Sequence, residues 1–254
     1  MEIRFPLILD GATGTELQKR GYTGESCAEQ WVLEHPETIR EVQRGYLDAG
    51  SRVVYAPTFG ANRQKLEERG IMNRTAEYNR RLAALSQEAA AGRAWVAGDI
   101  APTGLFLAPL GEASFEELVD IYTEQAAGLE EAGVDLYAIE TMMTLSDARA
   151  AVLAVRSVSD KPIFVSFTCD PTGRTLTGTD VAAALTVLQG MGVSAFGLNC
   201  SSGPAEMLEQ MRRLTPYTTV PLIAKPNAGL PETVEGQAVY HCPPEEFASY
   251  AAGF

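Results

Sequence analysis

The stretch Phe196-Gly197-Leu198-Asn199-Cys200-Ser201-Ser202-Gly203-Pro204 joins a short apolar run to a polar stop. The run predicts a buried strand, and the small residues that follow predict a turn into a helix that begins near Pro204. In α/β folds, functional residues lie at the carboxyl ends of the strands. Cys200 is therefore a candidate metal ligand or nucleophile, with Asn199 beside it.

The same strand-then-helix pattern repeats along the chain. Short runs of low charge predict strands at Leu7–Leu9, Arg52–Ala56, Trp95–Ala97, Leu136–Ile139, Ile163–Phe167, Ala195–Leu198 and Leu222–Ala224. Amphipathic segments predict helices at Glu37–Ala49, Thr75–Ala91, Ser114–Ala132, Ser146–Val158, Asp180–Met191, Ala205–Leu214 and Pro244–Ala252. Repeated βα units with no linker between them favour a (β/α)8 TIM-type barrel over an open doubly wound sheet.

Local signals support several helix ends. Ser114 with Glu117 forms a capping-box pattern, and Gly133 is typical of a helix end. Ser146 and Asp180 are candidate N-caps. The pattern gives seven βα units where a closed barrel has eight, so we expect one barrel domain over residues 1–254 that is C-terminally incomplete and lacks the eighth unit.

Composition excludes several classes of function. The net charge is −13, and no run of five basic residues occurs, which argues against nucleic-acid and anionic-membrane partners. The four cysteines, Cys27, Cys169, Cys200 and Cys242, are widely spaced, which is not the pattern of a disulfide scaffold. With no signal-peptide pattern and no apolar run of membrane-spanning length, we expect a cytoplasmic protein.

The predicted strand ends are rich in glycine and carry two carboxylates, Asp10 and Glu140. In a barrel these ends converge on one mouth. A carboxylate there suits a ligand ammonium group, and the N–H groups of a glycine-rich turn suit a ligand carboxylate. Together they predict a site for an amino acid.

Five segments carry a resemblance to a known family. They are Asp10–Thr15, Thr58–Asn62, Glu140-Thr141, Gly197–Cys200 and Pro226–Pro231. In these residues the chain resembles the homocysteine S-methyltransferase family, and most closely the homocysteine-binding module of cobalamin-dependent methionine synthases. Gly173–Gly178 and Asn227–Pro231 favour that branch.

The resemblance implies a zinc-dependent transfer of a methyl group to homocysteine, which gives methionine. It implies zinc held by three cysteine thiolates, of which Cys200 is the first, and methylcobalamin on a corrinoid-binding module as the donor. It implies substrate contacts at Asp10, Gly11, Thr58, Glu140 and Asn199. No side chain of the chain itself is expected to act as a catalytic acid, base or nucleophile.

Two departures from the family leave alternatives open. The sequence contains no Cys-Cys pair, which in the family supplies the other two thiolates, and Tyr55-Ala56-Pro57 precedes Thr58 where the family has a different segment. Cys169, His241 and Cys242 are the other candidate ligands. One alternative is an incomplete or degenerate module that binds no zinc and does not catalyse. Another is an aldolase-like barrel in which Lys225 forms a Schiff base.

Overall fold

The computed structural model describes residues 5–229, 232–234 and 237–254. The chain forms two compact units, one of residues 1–139 with 150–162 and one of residues 140–149 with 163–254. Among the described residues, none of the helices combines the length and the apolar character that a membrane-spanning helix needs.

The first unit is built on parallel strands covered by helices. Its strands are β1 (Val53–Tyr55), β2 (Trp95–Ile100) and the start of β3 (Leu136–Met142), which ends in the second unit. The helices are α1 (Gly14–Lys19), α2 (Ala28–Glu34), α3 (Pro36–Asp48), α4 (Arg63–Glu67), α5 (Thr75–Ala90) and α6 (Phe115–Ala132), and α7 (Leu145–Val158) begins in the second unit. β1 pairs with β2 and β2 with β3, all parallel.

The second unit continues the same arrangement. The end of β3 is followed by β4 (Ile163–Phe167), β5 (Ala195–Asn199) and β6 (Leu222–Lys225), and the pairs β4–β5 and β5–β6 are parallel. Helices α8 (Val181–Gly190), α9 (Pro204–Leu214) and α10 (Pro244–Ala251) and the 3-10 helix Thr215–Tyr217 complete it, with an antiparallel hairpin of β7 (Glu232–Val234) and β8 (Gln237–Val239). The strands follow one another in chain order, β1 to β6, in one sheet.

One glycine fixes the packing of β5 against β6. A Cβ atom on Gly197 would lie 1.8 Å from the carbonyl oxygen of Ile223, far inside any real contact distance. Only glycine lets the two backbones approach this closely. Because Asn199 lies two residues beyond Gly197, this contact also fixes the position of Asn199 at the end of β5.

The α/β architecture and the core strands agree with the sequence prediction. Six predicted strands are confirmed, whereas Leu7–Leu9 is reduced among the described residues to a single parallel bridge from Leu9 to Val53. In the described part of the chain the parallel sheet has six strands, where the sequence pattern predicted seven. The capping box of Ser114 and the left-handed Gly133 are both present.

Other boundaries of the prediction are wrong. Ser146 does not cap α7, which begins at Leu145, because the Thr144 hydroxyl accepts the hydrogen bond from the Asp147 N–H. Short elements were also missed: the helices α1, α2 and α4 and the β7–β8 hairpin. Leu230 and Pro231, in one of the segments that carries the family resemblance, lie outside the described residues.

Candidate functional site

A group of polar side chains lies at the strand ends of the second unit. We call Glu140, Thr141, Ser166, Asn199 and Lys225 the strand-end cluster. Glu140 and Thr141 lie near the end of β3, Ser166 lies in β4, and Asn199 and Lys225 are the last residues of β5 and β6. Asn199 and Lys225 are register partners, and the Cys200 N–H donates to the Lys225 carbonyl over 3.2 Å. Two of the predicted substrate residues, Glu140 and Asn199, therefore lie in one region with Cys200.

The Asn199 side chain links three strands. Its Oδ1 accepts from the Thr141 N–H over 2.9 Å and from the Ser166 hydroxyl over 2.8 Å. Its Nδ2 donates to Thr141 Oγ1 over 2.6 Å. Asn199 is only 1% exposed. These hydrogen bonds pair most of the donors and acceptors of its amide, whose burial without partners would cost free energy. The geometry makes Asn199 a residue that positions β3.

Two residues of this region hold backbone conformations that side chains disfavour. Thr141 has φ +59° and Cys200 has φ +53°. The left-handed region is unusual for any residue with a side chain and is a clear outlier for β-branched threonine. Strain of this kind persists only where the surroundings impose it, and it clusters at functional sites. The two hydrogen bonds between Asn199 and Thr141 supply that constraint.

Glu140 is paired with a cation inside the strand-end cluster. Its Oε2 lies 3.1 Å from Lys225 Nζ, and the two side chains are only 14% and 18% exposed. The carboxylate is thus in the place predicted for it, at a strand end, but an ammonium group of the protein lies against it. The amine that a Schiff base would need therefore lies against the Glu140 carboxylate.

The cysteines of this unit differ in exposure. Cys200 is exposed, and none of the four cysteines of the chain forms a disulfide bond. Burial raises the pKa of Cys169, whose N–H donates to Ser201 Oγ over 3.0 Å. The pKa of Cys242 is also raised, and its N–H donates to the Ala228 carbonyl over 3.1 Å. Within the described ranges, no three His, Cys, Asp or Glu side chains form a group that could hold a metal ion.

The predicted site residues Asp10 and Gly11 lie in the first unit. Asp10 is 6% exposed, and its Oδ2 accepts from the Tyr55 N–H over 2.7 Å at the end of β1. A Cβ atom on Gly11 would lie 2.7 Å from the Tyr46 ring, whose hydroxyl donates to the Ala12 carbonyl over 2.7 Å. These contacts anchor the segment after Leu9 to β1 and α3. Substrate contact by Asp10 and Gly11 stays a prediction.

Thr58 is bound to the neighbouring strand. Its hydroxyl donates to the Asp99 carbonyl over 2.8 Å and accepts from the Asp99 N–H over 3.1 Å. Gln125 Nε2 donates to the Thr58 carbonyl over 2.8 Å. Thr58 is fully buried, so these contacts give its side chain a structural role in joining the loop after β1 to β2. A substrate contact by Thr58 also stays a prediction.

Sequence reasoning missed a buried carboxyl group that braces the same loop. Glu29, in the first turn of α2, accepts from the Gly60 N–H over 2.7 Å. A Cβ atom on Gly60 would lie 2.8 Å from Glu29 Oε1, so a larger residue at position 60 would displace the Glu29 carboxylate. Burial raises the pKa of Glu29 above its ordinary value. In the sequence Glu29 resembles an exposed acid at a helix start, and nothing marks it as buried.

Comparison with known proteins identifies the family. A sequence model of the family described as Homocysteine S-methyltransferase matches residues 7–254. The chain belongs to the homocysteine S-methyltransferase family. Its relatives include the methionine synthases of Mycobacterium tuberculosis, 34% identical over 265 aligned residues, and of Mycobacterium leprae, 33% identical. Each alignment covers 98% of this chain and 22% of the relative, so the chain spans about a fifth of their length.

Solved structures of one family member show the same fold. The homocysteine methyltransferase MmuM from Escherichia coli, in its oxidized form, matches with a TM-score of 0.82 at 25% identity, over 97% of this chain and 86% of that chain. Its metallated form matches with a TM-score of 0.79 at 26% identity, over 88% of this chain and 84% of that one. The family and the TIM-type fold inferred from the sequence motifs are confirmed.

Proposed function

We propose that this chain binds homocysteine and presents its thiol for methylation, which gives methionine. The observation that carries the proposal is the placement of a carboxylate, Glu140, in one cluster with the Asn199-Cys200 strand end, in a chain that belongs to this family. A carboxylate held at low exposure suits the substrate's ammonium group. A thiol at the end of β5 suits a metal ion that can bind the substrate's sulfur.

The proposal gives each residue of the site a role. Glu140 binds the ammonium group, and Asn199 holds the Thr141 backbone so that the Glu140 carboxylate keeps its position. Asp10, Gly11 and Thr58 remain proposed substrate contacts. Their observed hydrogen bonds and packing support a positioning role for the loops that carry them.

Zinc enters the proposal through the family. When bound, zinc lowers the pKa of a coordinated thiol, so that the thiolate exists near neutral pH. Cys200 would supply one ligand. A zinc site of this class needs three protein ligands, and the described residues bring no such group together. We therefore assign no step of the reaction to zinc in this chain. Cys200 is proposed only as one metal ligand.

The methyl donor is proposed from the relatives. Both mycobacterial relatives are named methionine synthases and are much longer than this chain. We propose methylcobalamin on a corrinoid-binding module as the donor, and the cytoplasm as the location. In the transfer, a carbon–sulfur bond would form at homocysteine as the bond between the methyl group and the corrinoid metal breaks. The electron pair of the broken bond would stay with the corrinoid, and the thiol proton would pass to solvent.

A second candidate is an amino-acid-binding module without catalysis. The lack of a three-ligand metal group among the described residues favours it. The two candidates make the same prediction for homocysteine binding and opposite predictions for turnover.

Methyl transfer by the chain tests the proposal. Purified chain, supplied with zinc, homocysteine and methylcobalamin, should form methionine, detected by mass spectrometry. Cys200→Ser should abolish the product. Cys27→Ser is the matched control, because Cys27 caps α2 in the first unit and serine caps helices well. Binding of homocysteine without any methionine would favour the second candidate, and failure to bind homocysteine would contradict both.

A further inference from the structure

The ion pair between Glu140 and Lys225 is an unusual feature for this position. Lys225 is the last residue of β6, and among the last residues of the six described parallel strands it is the one with a charged side chain. The pair joins residues 85 positions apart in the sequence, over 3.1 Å. The role proposed above for Glu140 does not explain why a cation lies there.

Stability alone accounts poorly for this pair. Both side chains are less than a fifth exposed, so each charge has lost most of its hydration. At low exposure the desolvation cost offsets much of the attraction between the charges, and an apolar pair of similar size often stabilises a fold as well. A nearly buried pair at a strand end is therefore a candidate for function.

The pair has the charge pattern that complements an amino acid. An α-amino acid carries its ammonium and carboxylate groups on one carbon atom, as two opposite charges side by side. A carboxylate has two oxygens and an ammonium group has three N–H donors, so the two protein groups can each bind a ligand charge while they remain in contact. Glu140 would meet the ligand's ammonium, and Lys225 would meet its carboxylate.

We propose that Lys225 binds the α-carboxylate of the amino-acid substrate and so makes the site specific for a complete amino acid. This inference rests on the proposed function. The Cys200 N–H bonds to the Lys225 carbonyl, so the residue proposed to meet the substrate's thiol end is a neighbour of the residue that holds its carboxylate. Asn199, the register partner of Lys225, holds Thr141 next to Glu140.

A rival explanation makes the opposite prediction. If Lys225 only occupies the place of the substrate's ammonium group, it competes with the substrate for Glu140. Removing its charge would then tighten binding. If Lys225 binds the carboxylate, removing its charge weakens binding, and only for ligands that have a carboxylate.

The experiment compares L-homocysteine with 3-aminopropane-1-thiol, which lacks the carboxylate, by calorimetry on the full chain. Wild type should bind homocysteine about 10-fold or more tightly than the analogue, as expected for a hydrogen-bonded charge pair. Lys225→Met should reduce this ratio to about 1, mostly through weaker binding of homocysteine. Lys161→Met, which breaks the Lys161–Glu130 pair of the first unit, is the matched control and should leave the ratio unchanged.

A charge-preserving variant separates recognition from folding. Lys225→Arg should retain the preference for homocysteine, and circular dichroism should show the wild-type spectrum for both variants at this position. An unchanged ratio, or tighter homocysteine binding, in Lys225→Met would overturn the inference and leave the proposed function standing. If wild type binds neither ligand, the proposed function fails and the inference fails with it.

Discussion

The Asn199 side chain should contribute several kcal/mol to the stability of the chain. Asn199→Ala removes three hydrogen bonds, two to Thr141 and one from Ser166, at a residue that is almost completely buried. Each such bond contributes about 1 kcal/mol net, so the variant should lose about 3 kcal/mol. For a chain of this length the midpoint of thermal unfolding should fall by about 6–12 °C.

Urea unfolding followed by circular dichroism measures the difference directly. Gln189→Ala is the matched control, because Gln189 also takes part in three hydrogen bonds, to Tyr217 and Thr219, but at the surface of the same unit. The control should cost about 1 kcal/mol or less, since exposed groups regain hydrogen bonds to water. If Asn199→Ala unfolds within about 0.5 kcal/mol of wild type, the claim that Asn199 constrains β3 is refuted.

Two further substitutions test the packing of β5 and the burial of Glu29. Gly197→Ala, which puts a Cβ atom against the Ile223 carbonyl, should destabilise the chain by more than about 4 kcal/mol. The control Gly190→Ala, with open space around it, should leave stability equal or slightly higher. Equal free energies of unfolding in urea for the two variants would contradict this. Because burial raises the pKa of Glu29 above 4.5, wild type should lose stability as the pH rises from that value through the raised pKa, and Glu29→Gln, which keeps an acceptor for the Gly60 N–H, should lose less. Urea unfolding at about pH 5 and about pH 8 measures the loss of stability in wild type and in Glu29→Gln. Equal losses would show that folding does not change the pKa of Glu29.

Local signals predicted most of the elements but not all of their ends. The strands are short apolar runs buried on both faces, and that pattern is readable without any contact information. Leu7–Leu9 has the same pattern, yet a single bridge forms, because a strand also needs a partner along its length. The start of α7 depends on whether Thr144 or Ser146 caps it, and the two residues look alike in the sequence.

The candidate site could be predicted at the level of strand ends and not at the level of contacts. Glu140, Asn199 and Cys200 are identifiable because parallel strands bring their carboxyl ends together. The hydrogen bonds between Asn199 and Thr141 span 58 residues, and no local pattern encodes which side chains meet. Thr141 has a left-handed backbone conformation, which β-branched residues disfavour, so the sequence does not predict this conformation. Ser166 did leave a signal, as the polar residue within the apolar strand β4.

A crystal structure of the chain with the product, methionine, tests the central claim most directly. We predict that the methionine ammonium group lies within hydrogen-bonding distance of the Glu140 carboxylate, with the sulfur end toward Cys200. Methionine bound away from the ends of β3, β5 and β6, or no bound methionine at a concentration that saturates the chain in solution, would contradict the account.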